Sequence, residues 1–140
     1  KPGELIEPDD LRRCGVEIRP GDIVALNTGW AQYAGTPAYD DHPYLSPAAA
    51  QWLLEQKIKL LACDLPTPDM PVGRRPADYN WPAHHILLGH GVLVAENIAG
   101  LDALAGERVE FMFSALNIED SDGAPARVLA RRLARMDATT

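Results

Sequence analysis

Only two cysteines, Cys14 and Cys63, occur in the 140 residues. So sparse a pair builds no disulfide framework, and a reducing, cytoplasmic compartment is the expectation. Long apolar runs are lacking as well. No window of about 18 apolar residues occurs, so no membrane-spanning helix is expected. Positive charge is outweighed: 13 Lys and Arg stand against 20 Asp and Glu, a net charge of −7. Such a surface repels phosphate, which argues against nucleic acid and anionic membranes as partners. Internal repeats, low-complexity stretches and a signal-peptide pattern are absent. The opening Lys1-Pro2-Gly3 is expected to lie partway along a longer protein or to follow processing. Four chemical motifs are missing too: the phosphate loop, the HExxH helix, the nucleophile elbow and the dinucleotide fingerprint. Gly89-His90-Gly91 is a fragment of the last, but it follows a predicted helix rather than a strand.

What is present is an ordinary globular composition, 46% hydrophobic and 24% charged. That length and composition predict one domain over residues 1–140, with a core that needs neither disulfide nor structural metal. Pro8 with Asp9 and Asp10 predicts a short helix over 7–12. Pro20-Gly21-Asp22 is a turn signal leading into a buried strand over 23–28. Residues 30–44 read as a loop. Ser46 then caps, and Pro47 begins, the clearest helix, which runs to about residue 56 with Ala50, Leu53 and Leu54 toward a core.

A second strand is predicted over 58–63, with Cys63 buried at its end. Strand, helix, strand in this order predicts a crossover and an α/β class. Five prolines keep 64–82 irregular. A short helix over 84–88, a strand over 92–95, one helical turn over 101–104 and a strand over 109–116 follow. Residues 126–134 read as a final strand becoming a helix, or as a helix alone. Arg127, Arg131, Arg132 and Arg135 there read as a solvated face or a helix end.

The informative stretch is WPAHHILLGHGVLVAEN, residues 81–97. It holds three of the four histidines and a carboxylate, Glu96, ending an apolar strand. The helix advances on the order of 8 Å, and the strand advances about 13 Å. If the strand returns along the helix, His84 and Glu96 meet. A His and a Glu so placed suit a hard or borderline metal ion, although a catalytic zinc takes about three protein ligands. The ordinary alternatives are a solvated Glu and a His satisfying nearby backbone.

Other residues are weaker candidates. His42 reads as a loop residue, with a role in a pocket as the alternative. Asp64 reads either as a site-edge group or as a turn cap. Trp30 reads as a core or interface aromatic, and Ser114 has no base nearby in sequence. The pair Arg74-Arg75, in the proline-rich loop, is a candidate carboxylate binder or simply solvated.

Several blocks of residues stand in a fixed order along the chain. They are Ile18-Arg19-Pro20-Gly21-Asp22-Ile23-Val24 with Asn27-Thr28-Gly29-Trp30, then His42-Pro43-Tyr44-Leu45-Ser46-Pro47, then the 60–64 strand with Pro66. The fourth runs from His84-His85-Ile86-Leu87-Leu88-Gly89 to Val94-Ala95-Glu96-Asn97. The last is Leu116-Asn117-Ile118 with Ser121-Asp122-Gly123-Ala124-Pro125-Ala126-Arg127. Together, in this order, they resemble the cyclase family of bacterial kynurenine formamidases and isatin hydrolases, and the resemblance covers nearly the whole chain.

It implies a mixed β-sheet with flanking helices, of swivelling β/β/α type. It also implies a homo-oligomer and metal-assisted hydrolysis of a small amide, formamide or lactam with one or two zinc or manganese ions. In that family a His followed twelve residues later by a Glu contributes to the metal centre. Here these are His84 and Glu96, with His85 a neighbour. The family's main metal motif, His-x-Gly-Thr-His-x-Asp, lies upstream of the matched region and does not occur in this chain. The chain is therefore expected to be a C-terminal portion, a degenerate relative or one part of a split enzyme, with little or no hydrolase activity alone. A non-catalytic binding or assembly subunit is the rival expectation. An unrelated ligand site in the proline-rich loop is a third.

Overall fold

Residues 1–133 are described by the structure, a computed structural model. The chain falls into two units, Lys1–Ala103 and Leu104–Thr140. In the first, the order is β1 (Leu5–Ile6), α1 (Pro8–Arg13), β2 (Ile23–Leu26), β3 (Tyr44–Leu45), α2 (Pro47–Glu55), β4 (Leu60–Cys63), α3 (Pro82–Leu88) and β5 (Leu93–Ala95).

The strand β4 organises this unit. Its sequence, Leu-Leu-Ala-Cys, is apolar throughout, and all four residues are buried. Such a strand fits only the centre of a sheet covered on both faces. It pairs in parallel with β2 on one side and β5 on the other. The crossover from β2 to β4 passes through α2, and that from β4 to β5 passes through α3. A second parallel pair, β1 with β3, forms a separate two-stranded sheet.

Local chemistry sets the helix positions. Ser46 caps α2 by accepting the Ala49 N–H at 3.0 Å, and its own hydroxyl donates to Glu7 Oε2 at 2.7 Å. Ala49, Ala50 and Leu53 are buried, and α2 packs on α3. Leu45, Ile58, Leu61, Ala83, Leu87 and Val92 complete the main cluster, and Leu54 packs at its margin. Gly91, at φ 79, supplies the left-handed turn between α3 and β5.

The second unit is an antiparallel hairpin of β6 (Val109–Ala115) and β7 (Ala126–Arg132). This decides the reading of 126–134 in favour of a strand over the described residues. Arg131 pairs across the strands with Glu110, and Arg132 pairs with Glu107 at 2.7 Å. The cluster read as a solvated face or helix end is thus partly tied into strand pairing, and Arg135 lies outside the described residues.

Three further expectations change. Residues 30–44 are not plain loop: they contain two short 3-10 turns, Trp30–Tyr33 and Pro37–Asp41, before β3. The strands expected over 23–28 and 58–63 are shorter, because backbone pairing stops at Leu26 and begins at Leu60. The α/β class with both parallel and antiparallel pairing holds, with the two kinds in separate sheets. Among the described residues, no helix is long and apolar enough to cross a membrane.

Leu61 is fully buried at the centre of β4. Leu61→Ala is expected to lower unfolding free energy by about 2–5 kcal/mol in urea denaturation, through lost burial and the cavity left behind. A loss of about 0.5 kcal/mol or less, the ordinary scale of a surface change, would remove β4 from the core.

Candidate functional site

The site is built around a buried carboxylate. Asp69 sits in the proline-rich loop with no solvent exposure. Four donors converge on it: the Tyr79 hydroxyl at 2.8 Å, the Ala83 N–H at 2.9 Å, the His84 N–H at 3.1 Å and His84 Nδ1 at 2.6 Å. Two of these are backbone groups in the first turn of α3, where helical N–H groups have no partner of their own and negative charge is favoured. Burial pushes the Asp69 carboxyl up, but the bonds from His84, Ala83 and Tyr79 outweigh it and hold the group below its usual range. Burial also pushes the Tyr79 phenol up to about 12, so it donates rather than competes.

An ionised Asp69 only accepts, so His84 carries a proton on Nδ1. That fixes the ring and aims Nε2 away from Asp69. Glu96, just past the end of β5, places its Oε1 3.3 Å from this Nε2. The return of the strand along the helix, expected from element lengths, therefore does bring His84 and Glu96 together. The hydrogen bond to Asp69 and then the nearby Glu96 carboxylate raise the His84 pKa to about 9. Glu96 Oε1 is itself buried and makes no hydrogen bond among the described residues. The contact to His84 is close enough for attraction but lies outside hydrogen-bond geometry.

His84 and Glu96 open on a cavity of about 880 Å³ that His42, Arg75, Trp81 and His85 also line. His42 lies between the second 3-10 turn and β3, as the loop reading has it, and it is 2% exposed and reaches the cavity, which favours the pocket alternative. Its Nδ1 donates to the Pro43 carbonyl at 2.9 Å, and burial holds its pKa below the usual value, so the ring is neutral.

Asp64, left open between site edge and turn cap, is a buried cap. It accepts from Thr28 N–H (3.0 Å), Thr28 Oγ1 (2.8 Å) and Trp30 N–H (2.8 Å). Trp30 is a core aromatic, as expected, packed with Cys63 and Leu65. Arg74 is bonded to Asp41, with Nη2 to Oδ2 at 2.9 Å, which removes it from ligand binding, whereas Arg75 lines the cavity. Ser114 lies in β6 opposite Arg127. Cys14 is exposed, Cys63 is buried, and both are free thiols.

The sequence reading missed Asp69 altogether. Its one signal was a carboxylate inside a long proline-rich loop, a place where structureless chain in a small domain usually serves a site.

The Cyclase family model matches residues 1–70, half of the chain. The chain belongs to the cyclase family. A kynurenine formamidase of Bordetella petrii is 29% identical over 132 residues, covering 94% of this chain and 58% of that protein. A kynurenine formamidase of Bacillus thuringiensis is 35% identical over 89 residues, covering 64% of this chain and 40% of that protein. Among solved structures, an isatin hydrolase bound to the product analogue thioisatinate superposes with a TM-score of 0.81 at 26% identity. That match covers 92% of this chain and 53% of the hydrolase. The chain thus spans about half the length of the relatives it matches. Among the described residues, no group of three or more His, Cys, Asp or Glu is arranged to hold a metal ion.

The pKa shifts set a pH window. His84 is raised above its unfolded 6.5, so its contribution to stability is fully present below pH 6.5 and is lost as pH rises through about 9. Asp69 is depressed below 3.8, so its contribution is present above pH 3.8 and is lost as pH falls through its folded-state value. In an NMR titration His84 is expected to titrate near 9. Asp69→Asn should return it toward 6.5. An unmoved value would mean that Asp69 does not hold the ring.

Proposed function

We propose that this chain is the His84- and Glu96-bearing portion of a metal-dependent hydrolase of non-peptide carbon–nitrogen bonds, acting on a small amide, formamide or lactam. One observation carries the reading: His84 is held by a buried carboxylate at Nδ1, while its Nε2 faces Glu96. A carboxylate behind a histidine fixes the tautomer and raises the basicity of the outer nitrogen, which is how proteins present imidazole to a metal. The donor set suits a divalent ion, because imidazole nitrogen and carboxylate oxygen match zinc or manganese. Among the described residues the buried Oε1 of Glu96 makes no hydrogen bond and faces the protonated His84 ring at 3.3 Å, a position of positive charge that a metal ion could take over from the Nε2 proton.

Bound there, zinc or manganese supplies a Lewis acid for the amide carbonyl and acidifies water. His84 and Glu96 would hold the ion, and Asp69 would keep His84 aimed at it. Neutral His42 faces the same cavity and can accept or pass a proton at its ring nitrogen not bonded to Pro43. The formamidase and isatin hydrolase relatives support amide-type chemistry. Two donors fall short of the three protein ligands a catalytic zinc takes, so further ligands belong to residues other than these. A homo-oligomer with a small-molecule substrate, and without nucleic-acid or membrane partners, completes the proposal.

Calorimetric titration of the chain with zinc and with manganese tests this. Saturable binding is expected, and the His84→Ala/Glu96→Ala double variant should lose it. Binding must expel the proton that His84 holds up to about pH 9, so apparent affinity should rise roughly tenfold per pH unit between pH 7 and 9. Heats identical in chain and variant would overturn the assignment.

With only two donors, the chain alone is expected to show little or no turnover of an aryl formamide. Robust turnover in a discontinuous assay would show that the residues present suffice.

A further inference from the structure

The cavity contains a cation that amide hydrolysis as outlined does not use. Arg75 follows the 3-10 turn Val72–Arg74. Its Nε donates to the Met70 carbonyl at 2.7 Å. Its guanidinium carbon lies 5.2 Å from the Trp81 ring centroid and 5.4 Å from that of Tyr79. These three contacts pin a planar group that would otherwise sample many rotamers. The platform is itself fixed. The Tyr79 hydroxyl is bonded to Asp69, the same carboxylate that orients His84, and Trp81 is the residue from which α3 starts.

Among the described residues, neither Nη of Arg75 makes a hydrogen bond or an ion pair. Its neighbour Arg74 differs in this respect, because its fork is closed on Asp41. An arginine stacked on aromatic faces, tied at Nε and open at both outer nitrogens, presents a preorganised fork for a carboxylate. The half-buried position strengthens such a bond relative to one in open water.

Building on the hydrolase reading above, we infer that Arg75 is a specificity residue that binds a carboxylate carried by the substrate. The substrate class is an anionic amide whose carboxylate stands apart from the bond to be cleaved. Trp81 and Tyr79 hold the guanidinium in place while the amide reaches His84 and Glu96. Arg75 touches neither the scissile bond nor the proposed metal ligands, so it sets which amide is held rather than how it is cleaved.

The test needs no turnover and no metal. The metal-free chain is titrated calorimetrically with N-formylanthranilate, which carries a carboxylate beside its formamide, and with formanilide, which lacks it. The anionic probe should bind roughly tenfold tighter or more, the scale of a charge-assisted pair. Arg75→Gln should erase that gap while leaving formanilide binding in place. Arg74→Gln, outside the cavity, should leave the gap intact. Arg75→Lys keeps the charge but loses the fork, so it should narrow the gap. That variant carries the comparison if Arg75→Gln melts too early to titrate. Equal binding of the two probes, a gap that survives Arg75→Gln, or binding of neither probe would overturn the inference. Failure of the hydrolase reading shows elsewhere, as zinc binding indifferent to His84 and Glu96, and leaves the probe gap untouched.

Discussion

A buried negative charge is the constraint on which the site depends. Asp69 has no contact with solvent, and an isolated carboxylate in that position would either take up a proton or unfold its surroundings. It stays ionised because four donors surround it, and each of those bonds also performs a structural task. The Ala83 and His84 N–H bonds fix where α3 begins. The Tyr79 bond closes the proline-rich loop on itself, and the His84 Nδ1 bond turns the imidazole toward Glu96. Loop, helix start and ring orientation are therefore one cooperative unit rather than three features.

The sheet supplies the second half of the arrangement. In open parallel sheets, ligand sites gather at the carboxyl ends of strands. Glu96 stands directly after β5, and Asp64 directly after β4. The two have divided roles set by their neighbours. Asp64 is saturated by Thr28 and Trp30 and so ties the end of β4 to the segment after β2. Glu96 keeps an oxygen that is buried yet makes no hydrogen bond among the described residues. Of two carboxylates that each follow a strand of this sheet, Asp64 is saturated by hydrogen bonds and Glu96 is not, among the described residues.

This division explains what could be read in the sequence. The helix α2 was legible because Ser46 and Pro47 act locally. The strand β4 was legible because its burial shows as an unbroken apolar run. The meeting of His84 with Glu96 followed from element lengths and a glycine turn, which are local quantities as well. Asp69 was not legible, since nothing periodic marks a loop residue whose partners lie 10 to 15 positions away. In the sequence His42 stays open between a loop residue and a pocket residue for a related reason. It stands just before β3, a two-residue strand too short for any alternation to reveal. The opposed fates of Arg74 and Arg75 were hidden likewise, because they turn on Asp41 and on two aromatic rings brought in by folding.

Backbone strain points to the same place. Among the described residues, four other than glycine have positive φ, and two of them flank the site: Trp81, immediately before α3, and Asn97, immediately after Glu96. Asn adopts this conformation readily, and Asn97 is further held by its N–H to the Leu65 carbonyl and by the Tyr39 hydroxyl. Trp81 has no such excuse, because a bulky side chain in the left-handed region costs on the order of 1–3 kcal/mol. A fold tolerates that cost where the surroundings over-determine the position, and here they do. The Asp69 bonds to Ala83 and His84 dictate where the helix starts, and the residue before it must turn sharply to enter. The strain at Trp81 is thus a consequence of anchoring His84 on Asp69, and it leaves the indole beside Arg75 on the wall of the cavity.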